Sequence, residues 1–225
     1  MTNQLILELA PPPAPTFENF VPGPNRAAVE ALRALAAGTS AHPVIYLWGE
    51  PGSGRSHLLE AFVRAARARG ESAALVRSAA QLPPITGRAL VALDDIDALD
   101  GPAQIRAFDL FNAVRGLGAA FVAAGRAPPQ LAAVREDLRT RLASGLAFEL
   151  APLGDADKRA ALRSHALARG LTLGDEVVAY LLTRLRRDLG TQLAVLDALD
   201  RYSLAHKRAV TLPLVREALD ALALR

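Results

Sequence analysis

An apolar run, Val44-Ile45-Tyr46-Leu47-Trp48, stops at Gly49-Glu50-Pro51-Gly52-Ser53-Gly54 and passes through Arg55-Ser56 into a helical pattern. No other part of the chain restricts its fold as strongly. An apolar run without polar alternation reads as a strand buried on both faces, as in a parallel sheet covered by helices. The glycines let consecutive backbone N–H groups point into one concavity, at a helix N-terminus whose partial positive charge faces an anion. The spacing G-x-x-x-x-G-R-S is that of a phosphate-binding loop, with Arg55 where lysine is usual. The candidate nucleotide-binding residues are therefore Gly49, Pro51, Gly52, Ser53, Gly54, Arg55, Ser56 and His57, and the Ser56 hydroxyl is a candidate Mg2+ ligand. A guanidinium can hold phosphate oxygens by two hydrogen bonds. It is planar and larger than an ammonium, however, and does not place a point charge between β and γ phosphates. The expectation is a site that binds ADP or ATP better than it turns ATP over.

Ala89-Leu90-Val91-Ala92-Leu93-Asp94-Asp95 is a second apolar strand, and it ends in two carboxylates, the Walker B form. Asp94 is expected to hold Mg2+ and Asp95 to polarise an attacking water. Helix capping is the alternative role for either, or for Asp97. Further short runs fall at 73–76, 119–124 and 146–150, most of them separated by helical segments, which argues for a doubly wound α/β layer. After Pro152 only helical pattern remains, at about 155–169, 174–186, 188–207 and 211–223. Before Thr16 the chain is a short alternating segment, Gln4 to Leu9, followed by prolines that cannot join a ladder. A helix is expected from Pro24-Asn25 to Ala37, closed by Gly38. The expected organisation is an N-terminal tail over 1–15, an α/β nucleotide-binding domain over 16–152 and an all-helical lid over 153–225.

Composition removes several other classes. The chain has no cysteine, so thiolate zinc sites, disulfide scaffolds and cysteine nucleophiles are excluded. Its hydrophobic fraction is 51%, yet no apolar run approaches the roughly 18–20 residues of a membrane span. The N-terminus lacks a basic region and its apolar stretch is broken by Glu8, unlike a signal peptide, so a cytoplasmic protein without a membrane partner is expected. A net charge of +3 gives no ground by itself for DNA contact. His42, His57, His165 and His206 show no metal-site spacing, no Ser/His/Asp arrangement can be placed, and Trp48 and Phe62 fit a core better than a base-stacking platform.

A phosphate loop with a four-to-five-strand layer and a helical lid resembles the AAA+ ATPases. Within them, Thr16-Phe17-Glu18-Asn19-Phe20-Val21-Pro22-Gly23-Pro24-Asn25 is similar to the opening of the DnaA ATPase region, and Gly54–Leu59, GRSHLL, resembles the Hda family of DnaA-related regulators. The resemblance covers essentially the whole chain, which stops where an initiator would continue into a helix-turn-helix domain. It implies several roles. Gln4, Leu5, Leu7 and Leu9 would bind the DNA polymerase III sliding clamp (the beta subunit), with DNA met through the clamp. Arg141, in Asp137-Leu138-Arg139-Thr140-Arg141-Leu142, would be a catalytic arginine finger acting on nucleotide in a neighbouring AAA+ subunit, here DnaA. Arg187 would face the phosphates from the lid, with Arg186 as the one-residue-slip alternative. Where the family supplies a polar residue after Phe121-Val122-Ala123-Ala124, this chain has Gly125, which adds to the expectation of weak hydrolysis in its own site. The resemblance thus implies a nucleotide-bound regulator, with a second copy of itself among its candidate partners, that stimulates hydrolysis of DnaA-bound ATP and restrains replication initiation. The alternative is a self-sufficient AAA+ ATPase that remodels another replication partner such as a helicase.

Overall fold

A computed structural model describes residues 14–82, 87–185 and 188–221. Five parallel strands, β1 (Val44–Trp48), β2 (Ala73–Val76), β3 (Leu90–Leu93), β4 (Phe121–Gly125) and β5 (Leu146–Glu149), form one sheet in the order β2-β3-β4-β1-β5. The helices of this unit are α1 (Arg26–Ala36), α2 (Arg55–Ala68), α3 (Gly101–Gly116) and α4 (Glu136–Ala143). Alternate residues of the central strands enter opposite cores. Ile45 and Leu47 pack with Leu90, Ala92, Val122 and the apolar stripes of α1 and α2, whereas Val44 and Tyr46 pack with Val91, Leu93, Phe121 and those of α3 and α4. Burial on both faces is why β1 reads as an unbroken apolar run. The edge strand β5 pairs only with β1, and its side chains alternate between partly buried and exposed.

The strand boundaries depart slightly from the expected runs, for local reasons. Ala119 does not belong to β4, because its N–H donates to Val114 O and its carbonyl accepts from Arg115 Nη1, which ties it to the end of α3. Gly125 does belong to β4, paired with Trp48. The first expected helix starts as a 3-10 turn, Gly23–Asn25, ahead of α1.

Backbone contacts separate Pro15–Pro152 as one compact unit; the residues after Pro152 belong to a second. The second unit is entirely helical among the described residues: α5 (Asp155–Leu167), α6 (Asp175–Arg184), α7 (Leu189–His206) and α8 (Leu212–Ala221). Leu162, Val178, Leu181, Leu196, Leu199, Leu214 and Val215 form its core. At the start of α7 the Asp188 carboxylate accepts the Thr191 N–H, an N-cap of the usual kind. No helix among the described residues is long and apolar enough to cross a membrane.

Candidate functional site

The register of the sheet sets Trp48 beside Gly125 and Ala123 beside Leu93. The segments that leave β1, β4 and β3 therefore emerge side by side at the carboxyl edge of the sheet, where open α/β layers bind their ligands. The loop after β1 requires its glycines. Gly49, Gly52 and Gly54 have φ of 155°, 85° and 98°, values that side-chain-bearing residues rarely adopt. Space is also lacking, since a Cβ on Gly49 would lie 2.4 Å from Leu150 O and one on Gly54 would lie 2.6 Å from Phe20 Cε2.

Gly54 carries no side chain to cap α2, so the first N–H groups of that helix remain open to an incoming acceptor. Two further groups lack partners. Ser53 Oγ and Arg55 Nη1 are buried without a hydrogen bond, although Arg55 is only 8% exposed. A buried guanidinium calls for an anion. Asp95 supplies only a distant one, with Oδ1 3.7 Å from Arg55 Nη2. Unpartnered donors, an uncapped helix start and glycine-only backbone together match a polyphosphate.

The expected cation ligands, Ser56 and Asp94, differ in exposure: Ser56 is exposed and Asp94 is buried, its Oδ1 accepting the Asp95 N–H at 3.0 Å. Asp95 is exposed and lies in the left-handed region at φ 44°, which aims its side chain back toward Arg55. No group of three His, Asp or Glu side chains that would hold a metal unaided occurs among the described residues, so a cation here would depend on phosphate and water for most of its ligands. Pro51 and Gly52 are exposed.

His57 turns to the segment before α1. Its Nε2 lies 2.9 Å from Thr16 O and, since a carbonyl only accepts, carries the proton. Its ring tilts against Phe20, with centroids 5.3 Å apart. Burial holds the imidazole below its ordinary pKa, so it stays neutral. The segment is also fixed at its other end, where buried Asn25 donates from Nδ2 to Ala151 O and accepts the Ala151 N–H at Oδ1, both at 2.9 Å.

Gly125 leaves no vacancy. A Cβ there would lie 2.1 Å from Tyr46 Oη and 2.8 Å from Asp97 Oδ2. The Tyr46 hydroxyl donates to Ala127 O at 3.0 Å, and burial first, then the Asp97 carboxylate, raises its pKa well above that of a free phenol. The sequence reading missed Tyr46, Asp97, Asn25 and Phe20 as parts of the site. A deletion of polarity at Gly125 was visible in the sequence, but not the neighbours that fill its place.

Arg141 lies on α4 in the same unit as the loop. Its side chain is exposed, its guanidinium stands 5.9 Å from the Phe108 ring centroid, and no carboxylate pairs with it among the described residues. Arg139, on the same helix, is instead turned inward and donates to Val134 O. Gln4, Leu5, Leu7, Leu9, Arg186 and Arg187 lie outside the described residues.

A phosphate-type loop after the first strand of a 2-3-4-1-5 parallel sheet, with a separate helical unit after it, defines a P-loop protein of the AAA+ class. The RuvB A156S mutant of Thermotoga maritima shares this fold, with a TM-score of 0.66 at 13% identity over 92% of this chain and 72% of that one. More specifically, the chain belongs to the Hda/DnaA-related AAA+ family. Residues 155–219 match the Hda lid domain and residues 13–80 the bacterial DnaA ATPase domain. An uncharacterized protein of Haemophilus influenzae is 33% identical over 231 residues, spanning 98% of this chain and all of that one. Domain III of the replication initiation protein DnaA from Thermotoga maritima superposes with a TM-score of 0.74 at 21% identity, over 95% of this chain and 98% of that one. AMPPCP-bound DnaA from Aquifex aeolicus superposes with a TM-score of 0.69 at 26% identity, over 87% of this chain and 68% of that one.

Proposed function

We propose that this protein is a nucleotide-bound replication regulator that stimulates hydrolysis of ATP held by DnaA while its N-terminal Gln4–Leu9 segment engages the sliding clamp. The observation that carries the reading is Arg141: a guanidinium exposed on the phosphate-loop unit, steadied by an aromatic ring and without a carboxylate partner among the described residues. An arginine presented to another subunit's nucleotide neutralises charge that builds on the transferring phosphoryl group, an effect worth about three to five powers of ten in rate. An arginine locked to its own surface, as Arg139 is, has no such freedom.

The chain's own pocket plays a holding part in this reading. Ser53, Arg55 and the start of α2 bind the phosphates of ADP or ATP, and Ser56 and Asp94 accompany the Mg2+, which neutralises phosphate charge when bound. Asp95 is engaged by Arg55 across 3.7 Å and is less free to polarise a water, which favours retention of nucleotide over turnover. The AMPPCP complex of the Aquifex aeolicus relative and the match to the Hda lid support both parts of the reading.

The test is a DnaA-ATP hydrolysis assay with clamp loaded on DNA. Arg141→Ala is expected to remove stimulation by a hundredfold or more, on the order of the loss of a trans-acting arginine, while clamp capture and the thermal transition stay unchanged. Full stimulation by the variant refutes the role of Arg141.

A further inference from the structure

The corner between the ends of β3 and β4 contains a carboxylate oxygen that the fold itself leaves without a donor. Asp97 sits in the 3-10 turn Ile96–Ala98, and its Oδ2 accepts the Arg126 N–H at 2.5 Å. That contact, at the end of β4, fixes the orientation of the carboxylate. Its Oδ1 is buried and has no hydrogen-bond partner. A buried carboxylate oxygen without a donor is costly, so a native site that contains one reserves it for a group brought by the ligand.

The neighbouring groups narrow what that group can be. Tyr46 has already committed its only O–H to Ala127 O. Arg55 faces Asp95 and the phosphate loop. A phosphate offers acceptors, not donors, so it cannot answer an acceptor-only oxygen. Gly125 contributes no side chain and has no room for one. Water supplies the donor that a phosphate lacks, and a nucleotide's cation brings water with it. Mg2+ gives up water reluctantly and keeps several in its shell, and the lack of a three-ligand protein cage among the described residues leaves that shell largely aqueous here.

We propose that Asp97 is an outer ligand of the nucleotide's divalent cation, its Oδ1 accepting a hydrogen bond from a cation-bound water. The inference rests on residues 49–56 binding phosphate with Ser56 and Asp94 beside the cation. Asp97 is then a positioning residue: through a bound water it would hold the hydrated ion, beside Gly125, which carries no side chain to do so. Partners of this kind typically change metal affinity 10–100-fold.

The measurement is the Mg2+ dependence of binding of a fluorescent N-methylanthraniloyl ADP to the full chain, for the wild type and Asp97→Asn. The asparagine can keep the Arg126 contact through its carbonyl and presents a donor where the water's hydrogen would point. The expected result is a Mg2+ midpoint raised 10–100-fold, with affinity for the nucleotide in EDTA unchanged. A midpoint that does not move overturns the proposal, as does an equal loss with and without Mg2+, which would mark Asp97 as purely structural. If Asp97→Asn fails to fold, Asp97→Ser carries the same comparison, and wild-type binding that is indifferent to Mg2+ overturns the proposal without any variant. Failure of the wild type to bind the probe at all defeats the phosphate-loop reading itself, and the role of Asp97 with it.

Discussion

Replacing Gly125 by alanine tests how tightly the end of β4 is packed. The backbone there has no positive φ and accepts alanine without strain. The obstacle is the new Cβ, 2.1 Å from Tyr46 Oη, where ordinary contact needs more than 3 Å. Tyr46 is fully buried in the central strand β1, so its ring cannot swing into solvent. Forcing it aside costs about 1–3 kcal/mol of overpacking, and losing its hydrogen bond to Ala127 O adds about 1–3 kcal/mol. Gly125→Ala is thus expected to destabilise by about 2–6 kcal/mol, a large part of the 5–15 kcal/mol typical of a domain. Tyr46→Phe alone removes the hydroxyl and should cost about 1 kcal/mol. In the double variant the methyl occupies the hydroxyl's space but keeps a 2.8 Å approach to Asp97 Oδ2, so the total should fall to about 1–3 kcal/mol, leaving a coupling of about 2 kcal/mol. Trp48 is the only tryptophan and lies in β1, so urea unfolding followed by its fluorescence reports on the Pro15–Pro152 unit alone. Additive effects within about 0.5 kcal/mol, or a harmless Gly125→Ala, would refute the packing argument.

Two other outcomes follow from contacts of the opening segment. Burial keeps the folded-state pKa of His57 below its ordinary 6.5, so protons favour the unfolded chain; stability is fully present above the unfolded pKa and declines as pH falls through it toward the folded value. Thermal melts at pH 7.5 and 5.5 should show a larger acid-induced drop for the wild type than for His57→Gln, and equal drops would count against the assignment. Asn25→Ala strands both polar groups of Ala151 and should lower stability by about 2–4 kcal/mol in the Trp48 urea assay, and Asn25→Asp should cost no less, because it keeps the accepted bond but sets a buried carboxylate oxygen against Ala151 O.

The parts of this protein that declare themselves in sequence are those governed by local pattern. Val44–Trp48 is an unbroken apolar run because helices cover both sides of β1, and the glycines after it mark backbone values that other residues avoid. The four helices after Pro152 follow from their apolar spacing and appear within a few residues of the expected limits. The lining of the pocket was less legible. Tyr46 reads as one more apolar position in a strand, and only the pairing of Trp48 with Gly125 brings its hydroxyl to the end of β4. Asp97 reads as a possible cap, and its meeting with Arg126 depends on β3 and β4 being neighbours. Motif position points to Arg141 and is silent on the side chains themselves: Arg141 is exposed, and Arg139 is turned to its own backbone.

The pairing of Asn25 with Ala151 joins residues 126 positions apart, and β1, formed early in the chain, takes both its strand partners from β4 and β5 near the far end of the unit. A nascent polypeptide emerging from the ribosome therefore holds its most apolar strand unpaired until almost the whole unit has been synthesised, a slow, non-local closure of the kind that leaves chains open to aggregation. Translation arrested shortly before Ala151 should yield a product that chaperones hold, and release a few dozen codons later should let the sheet close in a single step.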